Sequence, residues 1–212
     1  MKNILDSINL LLKDGKINDA YSLTRKYHDI IIINIYEILY LEDKKNEGNS
    51  IVEEINNWLH GKNKLPEYKI MNQYIRNSIQ LKDMNNLLFK TKQYKELRQR
   101  LNDHTHYNFF QHMIYNDKYK FDFENNRINL LNQLSLDIQN IFIKHFCWLF
   151  TVKDHYMMSD DHIDYLECNQ TPPENSQYWV RPYIQEIFNG IIKPNREDLA
   201  NELKNSTCME LK

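Results

Sequence analysis

The sequence predicts an all-α protein, a helical bundle of about seven to nine helices in a single domain, residues 1–212. Three observations favour this fold class. Apolar residues recur at helical spacing along most of the chain, and no strand pattern with flanking turn signals emerges. Four glycines and five prolines are few for a sheet protein with many tight turns. Hydrophobic residues at 42% and charged residues at 26% are typical of a globular chain.

The bulk composition narrows the partners and the location. A net charge of −2 gives no global attraction to nucleic acid or membrane, so polyanion binding would require a local patch. The three cysteines form no CxxC pair, which suits a reducing cytoplasm and argues against a disulfide framework. The most apolar run, residues 30–41, is too short to cross a bilayer. We therefore expect a cytoplasmic protein without membrane association.

The first part of the chain is predicted to start with a helical hairpin, residues 1–45. Asp14-Gly15 ends its first helix, because glycine is typical of the residue after a helix. After a polar linker, Ser50 and Glu53 have the spacing of a capping box for the next helix. The predicted helices of this part span residues 3–13, 18–41, 51–59 and 67–79.

The second part is predicted to hold the bundle core, residues 66–157, and a C-terminal appendage, residues 159–212. Apolar residues surround most of the helix near 141–150, which indicates a central helix packed on several sides. Ser159 can cap the acidic helix that follows, and Pro194 suits a first helical turn. The predicted helices of this part span residues 92–115, 124–157, 160–167, 178–192 and 194–205.

Residues 97–112, "LRQRLNDHTHYNFFQH", hold most of the functional signal. His104, Asn108 and His112 follow at i, i+4 and i+8, on the continuation of an apolar helix face. A polar ladder in a buried position needs hydrogen-bond partners, and such ladders are common at functional sites. The opposite side carries new apolar residues, so we expect this half of the helix to be buried on more than one side, or to bend. These residues are Phe110, Met113 and Ile114.

The charge along the same helix is uneven. Residues 90–100 contain five basic side chains and one acidic side chain, a net charge of +4. This basic segment leads directly to the histidines. It could hold a phosphate backbone beside a group that transfers protons, which RNA cleavage by 2′-hydroxyl attack requires.

Two Arg-x5-His pairs occur here, Arg98 with His104 and Arg100 with His106. Their spacing lies within the Arg-x4–6-His signature of HEPN proteins, and over residues 66–157 the chain resembles HEPN-type helical ribonucleases. The residue after each arginine, Gln or Leu here, is usually Asn, Asp or His in that family.

The resemblance implies a metal-independent endoribonuclease without cofactor that works on RNA as a homodimer, in the setting of a toxin or an antiphage defence effector. It makes His104 the general acid and base and Arg98 the holder of the scissile phosphate. The alternative register uses Arg100 and His106. Substrate contacts are expected from Lys92, Lys95, Asn102, Asn108 and His112.

The register stays open at this point. A straight helix places Arg98 and His104 about 120° apart, so a bend or the partner chain would have to complete that pair. Arg100 and His104, at i+4, meet more easily within one helix.

Three other interpretations of these residues stay open. The histidines could be core residues satisfied by Asn108 and nearby carbonyls, with the arginines on a solvated face. The chain could be a non-enzymatic helical interaction module that binds a protein or nucleic-acid partner. Metal binding by Asp103, His104, His106 and His112 is disfavoured, because His104 and His106 point about 160° apart on a helix.

Two further segments carry chemistry of lower specificity. Asp160 and Asp164 share a helix face and could bridge a divalent cation, although acidic residues at a helix N-terminus are more simply explained by the helix dipole. Trp179, Tyr183 and Ile187 suit either an interface hot spot or, more simply, an apolar stripe that docks the last helices.

Overall fold

The computed structural model describes residues 2–46, 52–117 and 124–212, and within these residues it is helical with no β-strand. The predicted all-α class is therefore confirmed. The α-helices are α1 (Lys2–Lys13), α2 (Ile17–Asn46), α3 (Glu53–Leu59), α4 (Tyr68–Asn77), α5 (Lys82–Leu88), α6 (Gln93–Thr105), α7 (Phe110–Ile114), α8 (Glu124–Val152), α9 (Asp161–Glu167), α10 (Pro182–Ile187), α11 (Lys193–Asn195) and α12 (Glu197–Ser206).

These segments outnumber the seven to nine helices that the sequence predicts. The predicted helix over residues 92–115 is broken into α6 and α7, and α5 was not predicted at all. The helix predicted from residue 178 begins only at Pro182, because proline is favoured in a first helical turn. A π-helical turn, Phe188–Ile192, joins α10 to α11. The predicted capping residue Ser50 lies outside the described residues.

Helices α2 and α8 form the centre of the bundle. α2 packs against α1, α4, α6 and α8, and α12 packs against α5 and α8. Buried apolar side chains from Ile8 to Leu211 belong to one contiguous core cluster. Trp148 of α8 is fully buried, and its Nε1 donates a hydrogen bond of 2.9 Å to Oδ1 of Asn85. The apolar run around residues 141–150 is thus a central helix, as its pattern predicts.

Helix α6 lies against α2 along its apolar stripe. Leu97 and Leu101 are fully buried, as the periodicity predicts. Because the stripe faces inward, His104, which continues it, is also carried towards the core, whereas Asn108 of the predicted ladder is exposed. Within the described part of the chain, no helix combines the length and apolar composition that a membrane crossing requires.

Candidate functional site

His104 is a buried histidine between two other rings. Its side chain lies parallel to Tyr21 at a centroid distance of 3.7 Å and against His112 at 4.1 Å. Its Nδ1 lies 2.9 Å from Oδ1 of Asn18, while Nδ2 of Asn18 donates to the His104 carbonyl. Because the amide oxygen accepts, Nδ1 of His104 carries the hydrogen. Burial, with a smaller contribution from His112, lowers the pKa of His104 to about 3, so the ring is neutral at physiological pH.

Asp103 holds the turn that follows α6. Its carbonyl accepts a hydrogen bond of 2.8 Å from Nδ1 of His112, and its carboxylate accepts 2.7 Å and 2.9 Å bonds from Asn108 and Gln99. Tyr107 adopts a left-handed conformation with φ of 51°. A side chain other than glycine rarely adopts this conformation, so the surrounding bonds must hold the break in place.

Arg100 binds a buried carboxylate, while its own side chain stays 36% exposed. Its Nε and Nη2 donate to the two oxygens of Asp137 at 3.0 Å and 2.7 Å, and Asp137 is 1% exposed. Gln133 also donates to Asp137, at 3.0 Å. The bidentate bond to Asp137 raises the pKa of Arg100.

Arg98 is directed to a different set of partners. Its Nη1 donates to Asp29 at 3.1 Å, and its guanidinium lies 3.1 Å from the ring centroid of Tyr68. The same nitrogen lies 3.4 Å from Nδ1 of His28. Arg98 therefore extends from α6 towards α2, and Arg100 extends towards α8. Neither guanidinium forms a hydrogen bond with the side chain of His104.

The remaining predicted site residues divide into exposed and internal ones. Lys92, Lys95 and His106 are exposed. Asn102 is partly buried, and its Oδ1 accepts a 2.7 Å hydrogen bond from Nε of Arg25. The structure thus brings His104 and His112 together but separates them from the lysines at the other end of α6. In the described ranges, no group of three or more His, Cys, Asp or Glu side chains is arranged to hold a metal ion.

Helix α7 directs a polar residue inward and two large apolar residues outward. His112 is 8% exposed, whereas Phe110 is 73% and Met113 is 61% exposed, and Gln111 is exposed as well. Of the two predicted outcomes for this segment, burial on more than one side or a bend, the structure shows a break after α6, which turns Phe110 and Met113 to solvent and leaves Ile114 partly buried. Tyr107 at 48% and Phe109 at 56% lie beside them in the chain. We call these four residues, Tyr107, Phe109, Phe110 and Met113, the apolar corner.

Sequence reasoning missed the apolar corner as a surface. The available signal was the spacing of His104 and His112, which assigns both histidines to the inward face. The predicted support by a nearby carbonyl is confirmed for His112, whose Nδ1 donates to the Asp103 carbonyl. Asn108 is exposed and bonds Asp103, and Asn18 supports His104 in its place.

The two lower-specificity segments have ordinary structural contacts. Asp160 pairs with Arg181 at 2.6 Å. The predicted helical stripe of Trp179, Tyr183 and Ile187 is not found, because Trp179 precedes α10. Tyr183 and Ile187 instead line an apolar cavity of about 310 Å³ next to α8.

Comparison of the chain with protein-family models, curated proteins and solved structures found no match.

Proposed function

We propose that this protein is a non-enzymatic helical interaction module that binds a protein partner through the apolar corner. The observation that carries this proposal is the exposure of four large apolar side chains within seven residues, in the turn before α7 and on α7 itself, where His112 faces the core. Contiguous exposed apolar surface on a folded chain is typical of interaction sites, and aromatic side chains dominate the binding energy of protein interfaces.

Contacts of the buried residues next to the apolar corner fix its position. His112 stacks on His104 and bonds the Asp103 carbonyl. Beyond α7, Oδ1 of Asn116 accepts hydrogen bonds from the backbone N–H groups of Asn18 and Asp19 at 2.9 Å and 3.3 Å. The residues that flank the corner, His104 and Asn116, therefore both bond the start of α2. A surface ordered before binding loses less conformational entropy when a partner docks.

The charge near the corner favours a protein partner over RNA or lipid. Residues 103–117 contain no lysine or arginine and two aspartates. Lys16 contacts this segment through the Asn116 carbonyl, at 3.2 Å. Lys92 lies at the far end of α6, about 20 Å away at 1.5 Å per residue. Among the described residues, a phosphate-rich ligand on the corner would therefore find few cationic partners.

Ribonuclease activity stays a prediction, with a narrower set of residues. His104 lacks solvent access and is neutral, and both arginines bind carboxylates of the same chain. The Arg100–His106 register is favoured over the Arg98–His104 register by one observation, the solvent exposure of His106. Arg100 would have to exchange Asp137 for a phosphate in that case.

Site-specific photocrosslinking in cells tests the proposed function. A photoreactive p-benzoylphenylalanine in place of Phe110 is expected to yield a discrete protein adduct, because the partner covers that side chain. The matched control carries the same group in place of Ile79, an exposed apolar residue between α4 and α5. The Ile79 adduct is expected to be absent or different.

Absence of an adduct from Phe110, and also from Phe109 and Met113, would overturn the proposal. The ribonuclease prediction is tested separately, with purified protein and RNA in EDTA. Cleavage that leaves cyclic phosphate ends, and that disappears in His106→Ala, would replace the interaction module with an enzyme. We expect no difference in RNA cleavage between the wild-type protein and His106→Ala.

A further inference from the structure

The side chain of Lys144 is buried in the centre of the bundle. It is 2% exposed, although lysine is seldom fully buried unless it is paired. Its Nζ lies 3.1 Å from Nε2 of His28, which is 1% exposed. The rings of Tyr94 and Trp148 lie 5.0 Å and 4.8 Å from Nζ. No carboxylate of the described residues forms an ion pair with Lys144, so a second base is its nearest polar partner.

Cations outnumber anions around this pair. Asp29 is the carboxylate of the cluster, and it binds both Arg25 and Arg98. Arg98 also lies 3.4 Å from the other nitrogen of His28. The charged and titratable groups around Lys144 are His28, Asp29 and Arg25 from α2, Tyr68 from α4, Tyr94 and Arg98 from α6, and His145 from α8.

This environment disfavours a positive charge on either base. Burial, with a smaller contribution from Arg98, lowers the pKa of Lys144 to about 7 against the opposing effect of Asp29. Burial, followed by Lys144, lowers the pKa of His28 to about 3. Near neutral pH, Lys144 therefore gains or loses a proton while His28 stays neutral.

We propose that Lys144 and His28 form a proton-responsive pair at the junction of α2, α6 and α8, which supports the packing of these helices when Lys144 is neutral and destabilises it when Lys144 takes up a proton. A neutral amine and a neutral imidazole share one hydrogen bond without a desolvated charge. Protonation adds a third cation close to Arg25 and Arg98, and only ring faces, His28 and the shared carboxylate of Asp29 oppose its cost. The proposal is independent of what binds the apolar corner.

The sign of the pH effect follows from the two pKa values. Lys144 has a pKa of about 7 when folded, against a usual value of 10.5. Between these values the unfolded chain binds more protons than the folded one, so the free energy of unfolding rises with pH.

The deciding experiment is an NMR titration of the full chain with isotopically labelled lysines. One lysine resonance is expected to titrate near pH 7, and it should be missing from Lys144→Met. If every lysine of the wild-type protein titrates near its usual value, the proposal is wrong. This measurement needs only wild-type protein, so it decides the matter even if Lys144→Met does not fold.

The pH dependence of unfolding provides the second measurement. Denaturant unfolding from about pH 7 to about pH 9.5 is expected to show rising stability for the wild type and a flatter profile for Lys144→Met. Lys95→Met, which removes an exposed lysine of α6, should keep the wild-type slope. Amide hydrogen exchange in α6, corrected for its intrinsic pH dependence, should slow as Lys144 loses its proton. The proposal is wrong if the pH dependence of the unfolding free energy is the same in Lys144→Met as in the wild type, or if amide exchange in α6 does not respond to the protonation of Lys144.

Discussion

The two ends of α6 differ in where their polar and apolar side chains lie. Near its start, Arg98 leads into a buried cluster of polar side chains around His28 and Lys144. Past its end, Phe110 and Met113 stand in solvent above two stacked histidines. At the first end polar groups find partners inside the fold, whereas at the second end large apolar side chains stay mostly exposed. A histidine-rich helix can therefore direct its histidines into the core while the neighbouring turn exposes apolar side chains.

The largest loss of stability is expected from Arg100→Ala. This change leaves the buried carboxylate of Asp137 without its bidentate partner, so we expect a loss of about 3 kcal/mol in the free energy of unfolding. Urea denaturation measures it. The double variant Arg100→Ala with Asp137→Asn should recover part of the loss, because the charge is removed as well. A loss below about 0.5 kcal/mol, typical of a surface change, would show that Arg100 is free for another role.

An intermediate loss of stability is expected at acidic pH and from His104→Phe. His104 has a pKa of about 3 when folded and 6.5 ordinarily, so the unfolded chain binds more protons between these values. Stability contributed by the neutral ring is therefore present above pH 6.5 and is lost as the pH falls towards 3. His28 contributes with the same sign.

His104→Phe keeps an aromatic ring between Tyr21 and His112 but removes the donor to Asn18. We expect a loss of about 1–2 kcal/mol at neutral pH and a shallower decline in acid than in the wild type. Thermal unfolding at several pH values measures both. A decline as steep as that of the wild type would mean that His104 is not the titrating group.

The smallest effect is expected from Phe110→Ser. Because this side chain is exposed, its removal should change the free energy of unfolding by no more than about 0.5 kcal/mol. Denaturant unfolding measures it. A large destabilisation would show that the apolar corner belongs to the fold of a single chain, which would break the contrast between the two ends of α6.

The helical class and the central helix were within reach of the sequence, because apolar spacing depends on the chain alone. The inward direction of His104 followed from the same periodicity, since it continues the stripe of Leu97 and Leu101. The periodicity offers a bend in this region as one of two outcomes, but it does not give the position of the break at residues 106–109. That position depends on local bonds to Asp103 and on the bond from Asn18 of α2 to the His104 carbonyl, which joins residues far apart in the chain.

The partners of the two arginines were also beyond local reasoning. Arg98 and Arg100 lie two residues apart, yet one binds Asp29 of α2 and the other Asp137 of α8. The sequence by itself determined that α6 carries a buried apolar stripe, an uneven charge and a run of histidines. Only the tertiary structure decided which of these groups are enclosed and which reach solvent, because that depends on the carboxylates, amides and rings that distant helices bring against α6.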